Sequence, residues 1–273
     1  WIDEQTAAGS PADALLEAMV TSGWRRELAR GALDATLRAR QQTPSQVPRE
    51  AAAAPGRLPE PLVADGAHRV AAGDREVAIV AEMRAPRVVV FAGLLADHEC
   101  DELVALARQR LARSETVHVE TGGTEINAAR TSDGMFSTRA ENPLVERIEA
   151  RIAALLNWPV DRGEGLQVLR YAPGAEYRPH YDYFDPTDPG APVILARGGQ
   201  RVASLVMYLN TPLRGGATTF PDAGFAVAPQ RGGAVFFSYD RPHPDTRTLH
   251  GGAPVLEGEK WVATKWLREG RFD

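Results

Sequence analysis

Tyr171-Ala-Pro-Gly-Ala-Glu-Tyr-Arg-Pro-His180-Tyr-Asp182-Tyr-Phe184 is the stretch around which the rest of the chain is organised. His180 and Asp182 are two residues apart. Side chains on a strand repeat every second residue, so both are expected on one face. A neutral imidazole beside a carboxylate makes two adjacent corners of a metal site. The third corner is expected from His250, in Leu249-His250-Gly251-Gly252. Two His and one carboxylate on one face of an ion, with the other positions open, form the ligand set of non-haem Fe(II) oxygenases. By itself a His-x-Asp pair reads as a polar pair on a solvated strand, and the downstream sequence shifts that balance.

Lys260 opens the segment Lys260-Trp-Val-Ala-Thr-Lys-Trp-Leu-Arg268. With period-2 alternation, Lys260, Val262, Thr264, Trp266 and Arg268 share one face, and Trp261, Ala263, Lys265 and Leu267 share the other. Burying an amine without an anion is costly. A Lys that projects from this strand into a barrel therefore fits an anionic co-substrate.

From Leu166 onward the chain is a series of short apolar runs separated by Gly- and Pro-rich turns. Strands are expected at 166–171, 177–183, 201–209, 217–220, 224–227, 234–239, 246–250 and 261–267. That pattern predicts an α+β, mainly β architecture. Its core is a double-stranded β-helix of the jelly-roll or cupin kind, in which ligands from distant strands converge at one mouth. Strands at 76–81 and 86–91 and helices at 96–111 and 143–156 precede it as support.

Several segments resemble the prolyl 4-hydroxylase family of Fe(II)/2-oxoglutarate-dependent dioxygenases. They are Val168-Leu-Arg-Tyr171, His180-Tyr-Asp-Tyr-Phe184, Gly198-Gly-Gln-Arg201, Met207-Tyr-Leu-Asn210, Gly215-Gly-Ala-Thr218, Phe220-Pro221, Gly232-Gly-Ala-Val-Phe-Phe237, His250-Gly-Gly-Ala-Pro-Val255 and Lys260 to Trp266. Phe91 to Ser114 and Arg130-Thr-Ser-Asp-Gly-Met-Phe136 extend the likeness over roughly the last two-thirds of the chain. The resemblance implies Fe(II) at His180, Asp182 and His250. It also implies 2-oxoglutarate held by Lys260, Tyr171 and Thr218, with O2 as oxidant and ascorbate as reductant. Tyr177, Arg201 and Trp266 resemble residues on the peptide side. There a Trp face suits a proline ring and an Arg suits a flanking carbonyl. The family often has His where this chain has Arg268. The implied activity is hydroxylation of prolyl residues in a peptide or protein. The alternatives are a free amino acid or another residue type as target, or a non-catalytic 2-oxoglutarate-binding module.

The N-terminal part reads differently. Residues 1–42 are expected to form a helical hairpin, with Ser10 as N-cap and Pro11 at the first helical position. Residues 43–73, with Pro44, Pro48, Pro55, Pro59 and Pro61, read as a Pro/Ala-rich linker, and 74–273 as the catalytic domain. The 273 residues carry a net charge of -5, which offers no basic footprint for nucleic acid. The sequence has no apolar run long enough to span a membrane. The single cysteine, Cys100, together with an opening unlike a signal peptide, points to a cytoplasmic protein. The segment 185–199 carries Pro186, Pro189, Gly190, Pro192, Gly198 and Gly199. It is expected to be a loop without structure of its own that hangs over the site as a lid.

Overall fold

The computed structural model describes residues 11–21, 26, 30, 58–63, 66–114, 116–117, 120–125 and 129–273. The chain divides into two compact units, Trp1–Pro55 and Gly56–Asp273. In the first, helix α1 (Ala12–Thr21) buries Leu15, Leu16 and Met19, spaced as one apolar face. The expected second helix of the hairpin, apart from Arg26 and Arg30, and most of the expected linker lie outside the described residues.

The second unit begins with β1 (Arg69–Ala71), β2 (Glu76–Met83) and β3 (Arg87–Ala92). Because β1 pairs with β2 in register, the sheet starts inside the stretch read as linker. There follow α2 (Asp97–Arg108), β4 (Ala112–Arg113), β5 (Thr116–Val117), β6 (Thr124–Glu125), β7 (Asp133–Phe136) and α3 (Pro143–Leu156). Next come β8 (Gln167–Tyr171), β9 (Tyr177–His180), the short helix α4 (Ala191–Leu195) and β10 (Arg201–Tyr208). The chain ends with β11 (Arg214–Gly215), β12 (Thr218–Phe220), β13 (Phe225–Val227), β14 (Ala234–Ser238), β15 (His250–Gly252), β16 (Val255–Glu257) and β17 (Lys260–Arg268).

Nine strands form the major sheet in the order β1-β2-β3-β14-β10-β17-β8-β7-β4, and four form the minor sheet in the order β13-β12-β15-β9. This is the double-stranded β-helix expected from the strand spacing. The major sheet is apolar on both faces. Leu103, Leu144, Ile148, Ile152 and Leu155 of α2 and α3 pack with Trp261, Ala263 and Leu267 on one side. Val262, Leu169, Tyr208 and Phe237 meet Phe220 and Val227 of the minor sheet on the other. Every residue of β17 is consequently buried, its polar residues included. Lys265, on the helix side, donates to Glu149 Oε1 at 2.5 Å.

Helix α3 starts where Asn142 accepts from the Val145 amide at 3.0 Å and Pro143 occupies the first turn. Beneath α2 and α3, Arg151 is buried and bonds Asp74, Glu99 and the Leu94 carbonyl. This ties the β1–β2 turn to both helices.

Three expected elements differ. β9 ends at His180, short of residue 183, and Pro179, which has no amide donor, is tolerated because β9 is an edge of the minor sheet. The strand expected over 246–250 starts only at His250. Pro244–Thr246 instead form a 3-10 turn that Arg247 closes with φ of 55°. The segment 185–199 has internal structure: Asp185 accepts from the Thr187 amide and hydroxyl, and Pro192 lies in the first turn of α4. Loop composition was legible there, but not that Ala191 would be buried and seed a helical turn.

Candidate active site

His180 closes β9 and His250 opens β15. The two strands are adjacent and antiparallel, and these residues are register partners with ring centroids 4.4 Å apart. Gly251 permits the approach, since a Cβ there would lie 2.9 Å from the Tyr177 carbonyl oxygen. His180 Nδ1 lies 2.9 Å from the Arg178 carbonyl oxygen, and His250 Nδ1 lies 3.0 Å from that of Thr248. Each carbonyl accepts an Nδ1–H, which leaves both Nε2 lone pairs for a ligand.

Asp182 lies beyond the end of its strand, so strand alternation does not place it as expected. The bend after His180 brings its Oδ1 to 3.5 Å from His180 Nε2 and its Oδ2 to 3.5 Å from His250 Nε2. Ser204 Oγ donates to Oδ2 at 2.5 Å, with the Tyr239 hydroxyl 3.2 Å from Ser204 Oγ. The ligand atoms of His180, Asp182 and His250 all lie within 4.8 Å of one another. Burial pushes His250 down to about 4, against the pull of Asp182, so its ring is neutral and available. Burial would raise the Asp182 carboxyl, but His250, His180 and Arg201 outweigh it and hold the carboxyl far below its usual range. Two imidazoles that present Nε2 and one ionised carboxylate fit Fe(II) with further coordination positions left open.

Lys260 is the first residue of β17, in register with Tyr171 on β8. Its side chain is buried, with Nζ 5.4 Å from the Tyr171 ring centre and 6.0 Å from that of Tyr208. Burial alone lowers its pKa to about 8, and among the described residues no carboxylate pairs with it. The buried Thr218 hydroxyl accepts from Tyr208 at 2.8 Å. A buried ammonium left without a counter-ion beside these hydroxyls fits a carboxylate of 2-oxoglutarate.

Tyr177 stacks on His180 with centroids 3.7 Å apart, and the Arg130 guanidinium lies 4.8 Å from the centre of the Tyr177 ring. Trp266 carries the Arg201 guanidinium 4.1 Å from its ring centre, and its buried indole N–H has no partner among the described residues. Arg201 uses Nε and Nη2 to grip Glu164, at 2.6 and 2.9 Å, and its Nη1 lies 3.4 Å from the Asp182 carbonyl oxygen.

These groups line two compartments that meet at the triad. The outer one is an open cleft of about 970 Å³ walled by Phe136, Tyr177, Tyr181, Tyr183, Phe184 and Trp266. The inner one is lined by Tyr171, Thr218, His250, Gly252 and Lys260. His180, Asp182, Tyr177 and Trp266 face both. All nine residues singled out from the sequence therefore lie at one site.

Sequence reasoning missed Ser204, Tyr208, Tyr239 and Glu164. Ser204, Val206 and Tyr208 alternate on β10 and so point into the barrel, a signal available in Arg201 to Tyr208. No local signal marks Glu164, which precedes its strand.

The 2OG-Fe(II) oxygenase superfamily model matches residues 166–268. Prolyl 4-hydroxylase 2 of Arabidopsis thaliana is 39% identical over 211 residues, spanning 69% of this chain and 69% of that protein. Prolyl 4-hydroxylase 1 of the same plant is 44% identical over 202 residues, 67% of this chain and 69% of that protein. Among solved structures, the 2OG complex of the viral collagen prolyl hydroxylase from Paramecium Bursaria Chlorella virus-1 aligns with a TM-score of 0.51 at 30% identity. That alignment covers 66% of this chain and 95% of that one. With this likeness and a His-Asp-His triad at the mouth of its barrel, the chain belongs to the prolyl 4-hydroxylase family of Fe(II)/2-oxoglutarate-dependent dioxygenases.

Proposed function

We propose that the protein hydroxylates prolyl residues within a polypeptide, with release of succinate and carbon dioxide. The observation that carries this reading is the pair of compartments meeting at the triad. One is small and cationic, the other large and aromatic, as suits a reaction between a dicarboxylate and a segment of polypeptide.

In this reading His180, Asp182 and His250 hold Fe(II), which with 2-oxoglutarate and O2 supplies the oxidising chemistry. One oxygen atom of O2 goes to the target carbon and the other to succinate. Lys260 binds the distal carboxylate of 2-oxoglutarate, with the Thr218 and Tyr171 hydroxyls beside it. Ser204 and Tyr239 hold the Asp182 carboxylate in place. Tyr177 and Trp266 shape the wall against which the target ring rests, and the buried inner chamber keeps water from the co-substrate. Ascorbate serves as the reductant that keeps the metal ferrous. The names of the relatives support prolyl residues as target. A cytoplasmic setting belongs to the same reading and agrees with the single cysteine, Cys100.

The test is mass spectrometry of a capped proline-rich peptide after incubation with Fe(II), 2-oxoglutarate, O2 and ascorbate. The expected result is a gain of one oxygen on proline with matching succinate. His180→Ala should bind no stoichiometric iron and give neither product. Turnover of free proline with none of the capped peptide would overturn the peptide reading. Turnover of neither, with iron and 2-oxoglutarate both bound, would favour a non-catalytic module.

A further inference from the structure

Arg201 is the cation of the outer cleft that lies over Trp266, and one buried side chain holds it together with Arg268. Glu164 Oε1 accepts from Arg201 Nε at 2.6 Å and from Arg268 Nε at 2.7 Å, while Oε2 accepts from Arg201 Nη2 at 2.9 Å. Two further donors are directed at backbone: Arg268 Nη1 to the Gly199 carbonyl at 2.7 Å, and Arg201 Nη1 to that of Asp182 at 3.4 Å. The guanidinium groups also lie 4.8 and 4.9 Å from the Phe184 ring centre, and Gln200 pins Phe184 through its amide and its carbonyl. Arg201, Arg268 and Glu164 are all largely buried, with side chains 12%, 4% and 10% exposed. Of the other arginines lining the cleft, Arg130 donates to Gln167 at 2.7 Å, and Arg178 lies on the solvent side, 66% exposed and 3.7 Å from Glu176.

We propose that Glu164 is a specificity-determining residue: by pairing with Nε and Nη2 of Arg201 it compensates the cation that a substrate carboxylate would meet beside Trp266. The site then accepts proline only where its carboxyl group is already part of an amide. A substrate carboxylate entering here would lose its water and meet a guanidinium whose charge Glu164 already compensates. An amide carbonyl brings no charge to be matched. The proposal rests on the reading of the outer cleft as a peptide site.

The experiment compares one proline-rich peptide ending at the target residue in two forms, C-terminal amide and free acid, by kcat/KM for oxygen gain. The wild-type protein should prefer the amide by about tenfold or more, the scale of one charge-assisted hydrogen bond. Glu164→Gln keeps the shape and removes the charge. It should narrow that preference by about tenfold, chiefly through a lower KM for the acid, with the 2-oxoglutarate requirement unchanged. A preference unmoved in a Glu164→Gln protein that still turns over the amide would overturn the role of Glu164. So would a wild-type protein that takes both forms equally. Absence of oxygen gain in either form would instead remove the peptide reading, and this proposal with it. Should the variant fail to fold, the wild-type protein decides alone. N-acetylproline should inhibit about tenfold more weakly than N-acetylprolinamide, and equal or stronger inhibition by the acid sinks the idea.

Discussion

His180 and His250, far apart in sequence, are cross-strand register partners whose free Nε2 atoms both lie 3.5 Å from the Asp182 carboxylate. The metal geometry is therefore a property of the β9–β15 pairing. Whatever slips that register dismantles the site, because a one-residue shift turns each ring to the opposite face of the sheet.

Lys260→Ala should leave metal binding intact and raise the 2-oxoglutarate requirement about tenfold or more. A charge-assisted hydrogen bond in a buried site is worth roughly 1.5–3 kcal/mol. Titration of co-substrate binding against a redox-inert divalent metal would check this. Unchanged affinity would remove Lys260 from the role.

The pH dependence at Lys260 has a definite sign. Its pKa is lowered from 10.5 to about 8 by burial, so between those values the unfolded chain binds more protons. The stability of the ligand-free protein should rise with pH across that window, as the buried charge is relieved. Binding of 2-oxoglutarate needs the charged form and should weaken as pH passes about 8. Denaturant unfolding and co-substrate titration at pH 7 and 9.5 would show the two trends in opposite directions.

Ser204→Ala removes the hydroxyl that donates to Asp182 at 2.5 Å. Loss of a group that orients a metal ligand typically weakens metal binding by roughly 10- to 100-fold. Competition titration with a chromogenic chelator should show that loss while the unfolding midpoint stays near wild type. Tyr239→Phe should have a smaller effect of the same kind, since its hydroxyl reaches Asp182 only through Ser204.

Arg151→Met should be among the most destabilising single changes in the second unit. It leaves Glu99 buried with only Arg75 and Arg147 for charge partners, an arrangement that costs about 3 kcal/mol or more. Burial would raise the Glu99 pKa, but Arg151, the Ala96 amide and Arg147 bring it down to about 2. The wild-type protein should therefore lose this part of its stability as pH falls from 4.5 toward 2. In the Met variant the loss over that range should be smaller. Urea unfolding at a series of pH values measures both.

Limited proteolysis should cut between Asp185 and Arg197 in the ligand-free protein and be suppressed by 2-oxoglutarate with peptide. The ends of this segment are fixed by Gln200 and Arg268, whereas Thr187 and Val193 are exposed. Equal cleavage with and without ligands would make the segment an ordinary surface loop.

The sequence by itself determined the strand-rich barrel, the three metal-ligand candidates and the buried amine. The spacing of His180 and Asp182 and the alternation along 260–268 marked these residues, although the bend after His180, not strand alternation, places Asp182. The sequence was silent on what lies across a strand pair or a layer. That Tyr208 and Thr218 share a hydrogen bond, that Ser204 braces Asp182, and that one Glu164 holds both Arg201 and Arg268 are long-range facts. They depend on the order β14-β10-β17-β8 and on packing between sheets, which no local periodicity encodes. The tertiary structure also decided that Arg201 and Arg268 are spoken for. Their residue type marks two cations, and only the tertiary structure places one buried carboxylate between them.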